Sequence, residues 1–146
     1  MRCARDYYAE GVARGEKGDF DAALSDLDKA ITVNPNRAAA YYARGLARQH
    51  KNDFTAAVAD YTRAIELKSD YFQAYDMRGI ARAAHGDLEA ALADYRKAIQ
   101  LNPTDMKAYS NRGIAKFDKR DFDGAPADHD KAIQLSRTSV SATSTK

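Results

Sequence analysis

Ala23, Leu27, Ala30 and Ile31 stand at i, i+4, i+7 and i+8, the spacing that lines up side chains on one buried stripe of a helix. Upstream, Tyr7, Gly11 and Arg14 are separated by four and three residues, which marks a second helical stripe. Between the two stripes lies Gly18-Asp19-Phe20. A glycine there can take the left-handed conformation that ends one helix, and the aspartate can accept the free N–H groups that start the next. This pattern predicts a pair of helices joined by a short turn.

The pair recurs. Glycines stand at Gly11, Gly45, Gly79 and Gly113, a constant step of 34 residues. The same step carries Tyr7, Tyr41, Tyr75 and Tyr109, the alanine column Ala23, Ala57, Ala91 and Ala125, and the isoleucines Ile31, Ile65, Ile99 and Ile133. The turn recurs as Asn52-Asp53-Phe54, Gly86-Asp87-Leu88 and Arg120-Asp121-Phe122. Asn34-Pro35, Lys68-Ser69 and Asn102-Pro103 separate the copies, and proline disfavours continuing a helix. The fold class expected is all-α: an α-solenoid of four antiparallel helix-turn-helix repeats spanning about 4–37, 38–71, 72–105 and 106–139 within one domain, 1–139. Residues 140–146 belong to a Ser/Thr-rich stretch and are expected to be a disordered tail.

Composition narrows the function more than the fold. Of the 146 residues, Lys and Arg number 23 and Asp and Glu 21, leaving a net charge of +2, so bulk charge does not point to nucleic acid or an acidic membrane. The single cysteine, Cys3, excludes a disulfide framework and a cysteine-based zinc cluster, and fits a reducing, cytoplasmic location. No apolar run approaches the ~18 residues needed to span a bilayer. The N-terminus has no apolar stretch behind its basic residues, so no signal peptide is expected.

The 34-residue period, the glycine column and the A-x₃-aromatic places Ala57…Tyr61 and Ala91…Tyr95 resemble the tetratricopeptide repeat family. Tyrosine stands here at the family's tryptophan place, and Arg-Gly replaces Leu-Gly in three copies. The closing proline is Pro35 and Pro103, but Ser69 in the second copy. The resemblance implies a right-handed superhelix with the first helices lining a concave groove that binds peptides or protein segments. It also implies a protein or peptide partner, no cofactor and no catalysis. By the family's geometry the groove includes Tyr8, Tyr42, Leu46, Met77, Ile80, Asn111, Ile114 and Phe117. The Val12, Leu46, Ile80, Ile114 ladder reads either as packing between neighbouring helices or as an apolar groove floor. One branch of the family clamps chaperone C-termini with Lys and Asn side chains. Here only Lys107 and Asn111 suit, so that clamp is not expected.

Basic columns replace the family's leucine place and the place one turn on: Arg44, Arg78, Arg112, and Arg14, Arg48, Arg82, Lys116. The second helices carry Asp26, Asp60, Asp94 and Asp128. Because the first copy has Glu10 in place of arginine, pairing across copies is expected: Asp26–Arg44, Asp60–Arg78 and Asp94–Arg112. The rival reading is a basic strip for acidic ligands or nucleic acid. In the fourth copy Pro126 and His129 replace apolar residues, which suggests a polar terminal repeat or an uncapped end that self-associates into a homo-oligomer. Phosphate-loop, dinucleotide and His-Glu-x-x-His signatures are absent from the sequence, and the three histidines occupy unrelated columns, so no catalytic or metal-binding residue is expected.

Overall fold

The computed structural model describes residues 4–120 and 124–144, with only the backbone described at 4, 5 and 139–144. Cys3, Asp121 and Phe122 lie outside these residues. Among the described residues there are helices and no strands: α1 Ala4–Glu16, α2 Phe20–Val33, α3 Ala38–His50, α4 Phe54–Leu67, α5 Phe72–Ala84, α6 Leu88–Leu101, α7 Met106–Asp118 and α8 Gly124–Ser144.

Turn chemistry sets these limits. Asp19, Asp53 and Asp87 cap α2, α4 and α6 by accepting from Ala22, Ala56 and Ala90 N–H at 3.3–3.4 Å. Before each cap the chain turns left-handed, at Gly18 (φ 84°), Asn52 (φ 63°) and Gly86 (φ 93°). Arg120 takes the same conformation at φ 67°, which a side chain disfavours. Asn34 and Asn102 accept from Asn36 and Thr104 N–H, folding the chain back after α2 and α6.

Helices pair as hairpins (α1–α2, α3–α4, α5–α6, α7–α8), and successive hairpins meet through α2–α3, α4–α5 and α6–α7. Among the described residues, consecutive first helices touch (α1–α3, α3–α5, α5–α7), whereas consecutive second helices do not. The first helices therefore approach one another more closely than the second helices do. Alanine columns bring the helices together: Ala23, Ala57, Ala64, Ala74, Ala81, Ala91, Ala98 and Ala108 have no exposed surface. The glycine column lets a large side chain lie directly on the first helix, Leu27 over Gly11, Tyr61 over Gly45 and Tyr95 over Gly79.

The ion-pair ladder exists in another register. Asp26 pairs with Arg14 at 2.9 Å, not with Arg44. Asp60 takes Arg44 and Arg48, each at 2.8 Å, and Asp94 takes Arg78 at 2.7 Å and Arg82 at 2.8 Å. Asp128 takes Arg112 at 2.7 Å and Lys116 at 2.9 Å. The expected Asp26–Arg44, Asp60–Arg78 and Asp94–Arg112 pairs are thus replaced by pairs within each hairpin. The arginines do reach back across copies, but to the position two residues beyond the aspartate. Arg44 Nη1 donates to Asp28 at 3.0 Å and Arg78 Nη1 to Thr62 Oγ1 at 3.2 Å. Inside a hairpin the aspartate faces the basic side chains directly, and at Asp60 and Asp94 two guanidinium groups converge on one carboxylate. Burial opposes ionisation of Asp128, yet the hydrogen bonds from Arg112 and Lys116 outweigh it and hold this carboxyl below the usual range.

Of the expected disordered tail, residues 145–146 lie outside the described residues, and residues 140–144 instead continue α8, which runs for 21 residues to Ser144 where α2, α4 and α6 have 14. No Asn-Pro turn stops it, and Thr138 Oγ1 donates back to Gln134 O at 3.0 Å, satisfying its hydroxyl within the helix. Pro126 falls in the first turn of α8, where the N–H it lacks has no helical partner to lose.

Candidate functional site

The residues expected in the groove all lie on the first helices: Tyr8 on α1, Tyr42 and Leu46 on α3, Met77 and Ile80 on α5, and Asn111, Ile114 and Phe117 on α7. The apolar ladder lines successive concavities. Val12 and Leu46 share a cavity of about 240 Å³ with Phe20, Leu27 and His50. Leu46, Met77 and Ile80 line a second, of about 380 Å³, with Phe54 and Gln49. Ile114 and Phe117 line a third, of about 440 Å³, with Ser110, Pro126 and His129.

The ladder changes character along the stack. Leu46 and Met77 pack against buried Ala57, Tyr61 and Ala81, and Ile80 packs against buried Ala91, Leu92 and Tyr95. In the fourth repeat His129 replaces the tyrosine that would fill this space, and Ile114 and Phe117 are 59% and 60% exposed. The ladder is therefore packed at the second and third repeats and exposed at the fourth.

Tyr8 and Tyr42 sit outside these cavities. The Arg37 guanidinium stacks 3.7 Å over the Tyr8 ring, and Tyr42 lies 5.0 Å from Tyr71 and 5.9 Å from Tyr61 between ring centroids. Burial, followed by the nearby Asp76, pushes the Tyr42 hydroxyl to a higher pKa. Asn111 is half-buried. Sequence reasoning missed the second-helix contributors Phe20, Phe54, Pro126 and His129. The aromatic column that follows each capping aspartate (Phe20, Phe54) was the available signal. It also missed the His50 ring stacked on Phe20 at 4.6 Å.

A buried acid pair lies at the junction of the third and fourth repeats. Asp76 is 6% exposed and Asp105 8%, and each has one carboxylate oxygen without a hydrogen-bond partner. Asp105 also caps α7 through Ala108 N–H. Burial first, then the hydrogen bond and the charge of Asp105, push the Asp76 carboxyl up to about 9, against the pull of Lys107. This environment favours the protonated form of the Asp76 carboxyl. Its folded pKa exceeds the ordinary 3.8, so the proton's contribution to stability is full below about pH 4 and fades as pH rises toward 9. Asp76→Asn keeps the shape without the titration. It is expected to raise stability over wild type by about 1–2 kcal/mol at pH 8 and to make little difference at pH 4. Thermal melts of both proteins across this range check it; parallel pH profiles would contradict the assignment.

No helix among the described residues is long and apolar enough to cross a membrane. Nor are three or more His, Cys, Asp or Glu side chains placed together to hold a metal among them.

Two family models match the chain, one described as tetratricopeptide repeat over residues 8–72 and one as TPR repeat over residues 79–119. No curated protein sequence matches it. Among solved structures, the crystal structure of MamA is 26% identical with a TM-score of 0.90, covering 94% of this chain and 81% of that one. The first TPR of Spaghetti (RPAP3), bound to the HSP90 peptide SRMEEVD, is 26% identical with a TM-score of 0.78, covering 80% of this chain and 93% of that one. The second TPR domain of human RPAP3, in complex with the HSP70 peptide SGPTIEEVD, is 25% identical with a TM-score of 0.75, covering 77% of this chain and 94% of that one.

Proposed function

Since the chain belongs to the tetratricopeptide repeat family, a non-catalytic protein-interaction fold, we propose that it is a cytoplasmic adaptor or scaffold whose inner face grips a partner segment through apolar side chains. The observation that carries this reading is the open fourth-repeat cavity, where Ile114 and Phe117 keep more than half their surface on an otherwise packed ladder. The stacked helices hold these side chains in place beforehand, so ordering falls mainly on the partner segment. Leu46, Met77 and Ile80 extend the floor toward α3, with Tyr8, Tyr42 and Asn111 at its margins. The RPAP3 domains bind the HSP90 peptide SRMEEVD and the HSP70 peptide SGPTIEEVD, both of which carry acidic residues. Here Lys107 and Asn111 alone suit such a clamp, and the segment expected is one with spaced apolar anchors rather than an acidic C-terminus.

The test is selection of peptides from a random phage library on the folded protein, followed by titration against Ile114→Asp/Phe117→Asp. These side chains are exposed, so the variant is expected to fold normally by circular dichroism and to bind selected peptides at least tenfold more weakly. Peptides bound equally by both proteins would move the site elsewhere.

A second reading is homo-oligomerisation through the same repeat. The place of Ile114, Phe117 and Pro126 corresponds, one repeat earlier, to Ile80, Ala83 and Leu92, which pack against Ala115 of the following hairpin. A mass that rises with concentration in light scattering, and stays monomeric in the double variant, would favour this reading.

A further inference from the structure

The outer side of the junction between the third and fourth repeats holds a concentration of positive charge that the other junctions lack. A cavity of about 440 Å³ is lined by Glu89, Leu92 and Arg96 of α6, by Arg112 and Lys116 of α7, and by Lys119 and Arg120 just beyond α7. Arg112 and Ile114 are two residues apart, so they project on opposite sides of α7, and this cavity is distinct from the groove.

The 34-residue equivalence supplies the comparison. At the first junction, Arg44, Arg48 and Lys51 meet three carboxylates: Asp60, Asp28 and Asp21. At the second, Arg78 and Arg82 meet Asp94, with Thr62 as a neutral acceptor. At the third, five cations meet two carboxylates, Asp128 with Arg112 and Lys116, and Glu89 with Lys119.

Two substitutions produce the excess. Arg96 stands where Asp28 and Thr62 accept the cross-repeat hydrogen bond, so among the described residues Arg112 Nη1 has no acceptor. Arg120 stands where Gly18, Asn52 and Gly86 make the left-handed turn, so a cation occupies a backbone position that disfavours any side chain. Among the described residues neither Arg96 nor Arg120 has an ion-pair partner.

We infer that this cavity binds a phosphate monoester, presented as a phosphorylated serine or threonine side chain of a protein partner. A dianion offsets two of the three unbalanced charges, and guanidinium groups match phosphate oxygens with paired N–H donors. A peptide source fits a chain whose family binds protein segments, and a cavity open at the surface admits a side chain with its flanking backbone. The basic columns themselves are not the site, because Arg44, Arg48, Arg78 and Arg82 are taken by Asp60 and Asp94.

The experiment is an NMR titration of the labelled full chain with a phosphoserine pentapeptide, its unphosphorylated form and inorganic phosphate, in low salt. The phosphopeptide is expected to shift resonances around Arg96 and Lys116–Arg120 saturably, and the unphosphorylated peptide to leave them in place. Arg96→Asp and Arg120→Gly restore residues found at earlier junctions, so both are expected to fold, the second with a higher melting temperature. Together they are expected to weaken phosphopeptide binding at least tenfold, whereas Ile114→Asp/Phe117→Asp leaves it unchanged. Absence of shifts, or unchanged binding by the arginine variants, would overturn the site. Inorganic phosphate binding as tightly as the peptide would overturn the assignment to a phosphorylated partner.

Discussion

Asp94→Ala is expected to lower the unfolding free energy by about 3 kcal/mol, because it strands two cations at once. Asp94 is 3% exposed and accepts from Arg78 Nε at 3.0 Å, Arg78 Nη2 at 2.7 Å and Arg82 Nη1 at 2.8 Å. The Arg78 side chain is 13% exposed, and without the carboxylate it keeps only the Thr62 hydroxyl as acceptor. An unpaired, partly buried guanidinium is then too enclosed to recover its hydration. The same truncation should cost less at Asp60, since Arg44 retains Asp28. It should cost least at Asp26, below about 1 kcal/mol, where the Arg14 side chain is 47% exposed and solvent takes over. Chemical denaturation followed by circular dichroism reads the series. The order Asp94, Asp60, Asp26 is the informative result, and equal losses would show that exposure of the partner is not what sets the penalty.

Gly45→Ala is expected to destabilise by about 2 kcal/mol even though alanine is the better helix former. A Cβ at this position would lie 2.6 Å from Tyr61 Cε1 and 2.9 Å from Cδ1. Tyr61 has no exposed surface and its hydroxyl donates to Gln49 Oε1 at 2.8 Å, so the ring cannot move aside without breaking that bond. Either the ring leaves its site or α3 and α4 separate, and both open a close-packed contact. Gly15→Ala on α1 is the control. Its nearest neighbour would be Ala23 Cβ at 3.9 Å, an ordinary contact, so here the helix preference prevails and stability rises by up to about 1 kcal/mol. Opposite signs in the two melts are the expected outcome; a gain at Gly45 would mean that the ring is looser than its burial indicates.

The sites divide by how local their causes are. Helix pairing, the capping aspartates and the left-handed turns were legible because each is written within a few residues and repeated at a fixed step. The partner of each arginine was misread. Glu10 suggested a ladder between copies, but side chains 12 and 16 residues apart meet across the antiparallel hairpin, and period alone does not distinguish the two registers. The extension of α8 through residues 140–144 was not legible for a different reason: Ser/Thr content argues against a helix only weakly, and nothing after Pro126 stops one already under way. Asp105 was not singled out, because nothing in its column marks it as the partner of Asp76.

By itself the sequence determined the repeat, the helices and the close approach of each pair, since small residues in fixed columns leave only one way for large ones to lie on them. Tertiary structure decided which charges neutralise one another, that Asp76 and Asp105 share a buried junction, and that the fourth repeat stays open at Ile114 and Phe117. These outcomes depend on the reach and enclosure of side chains from different helices, and enclosure is a property of three-dimensional packing that no spacing along the chain encodes.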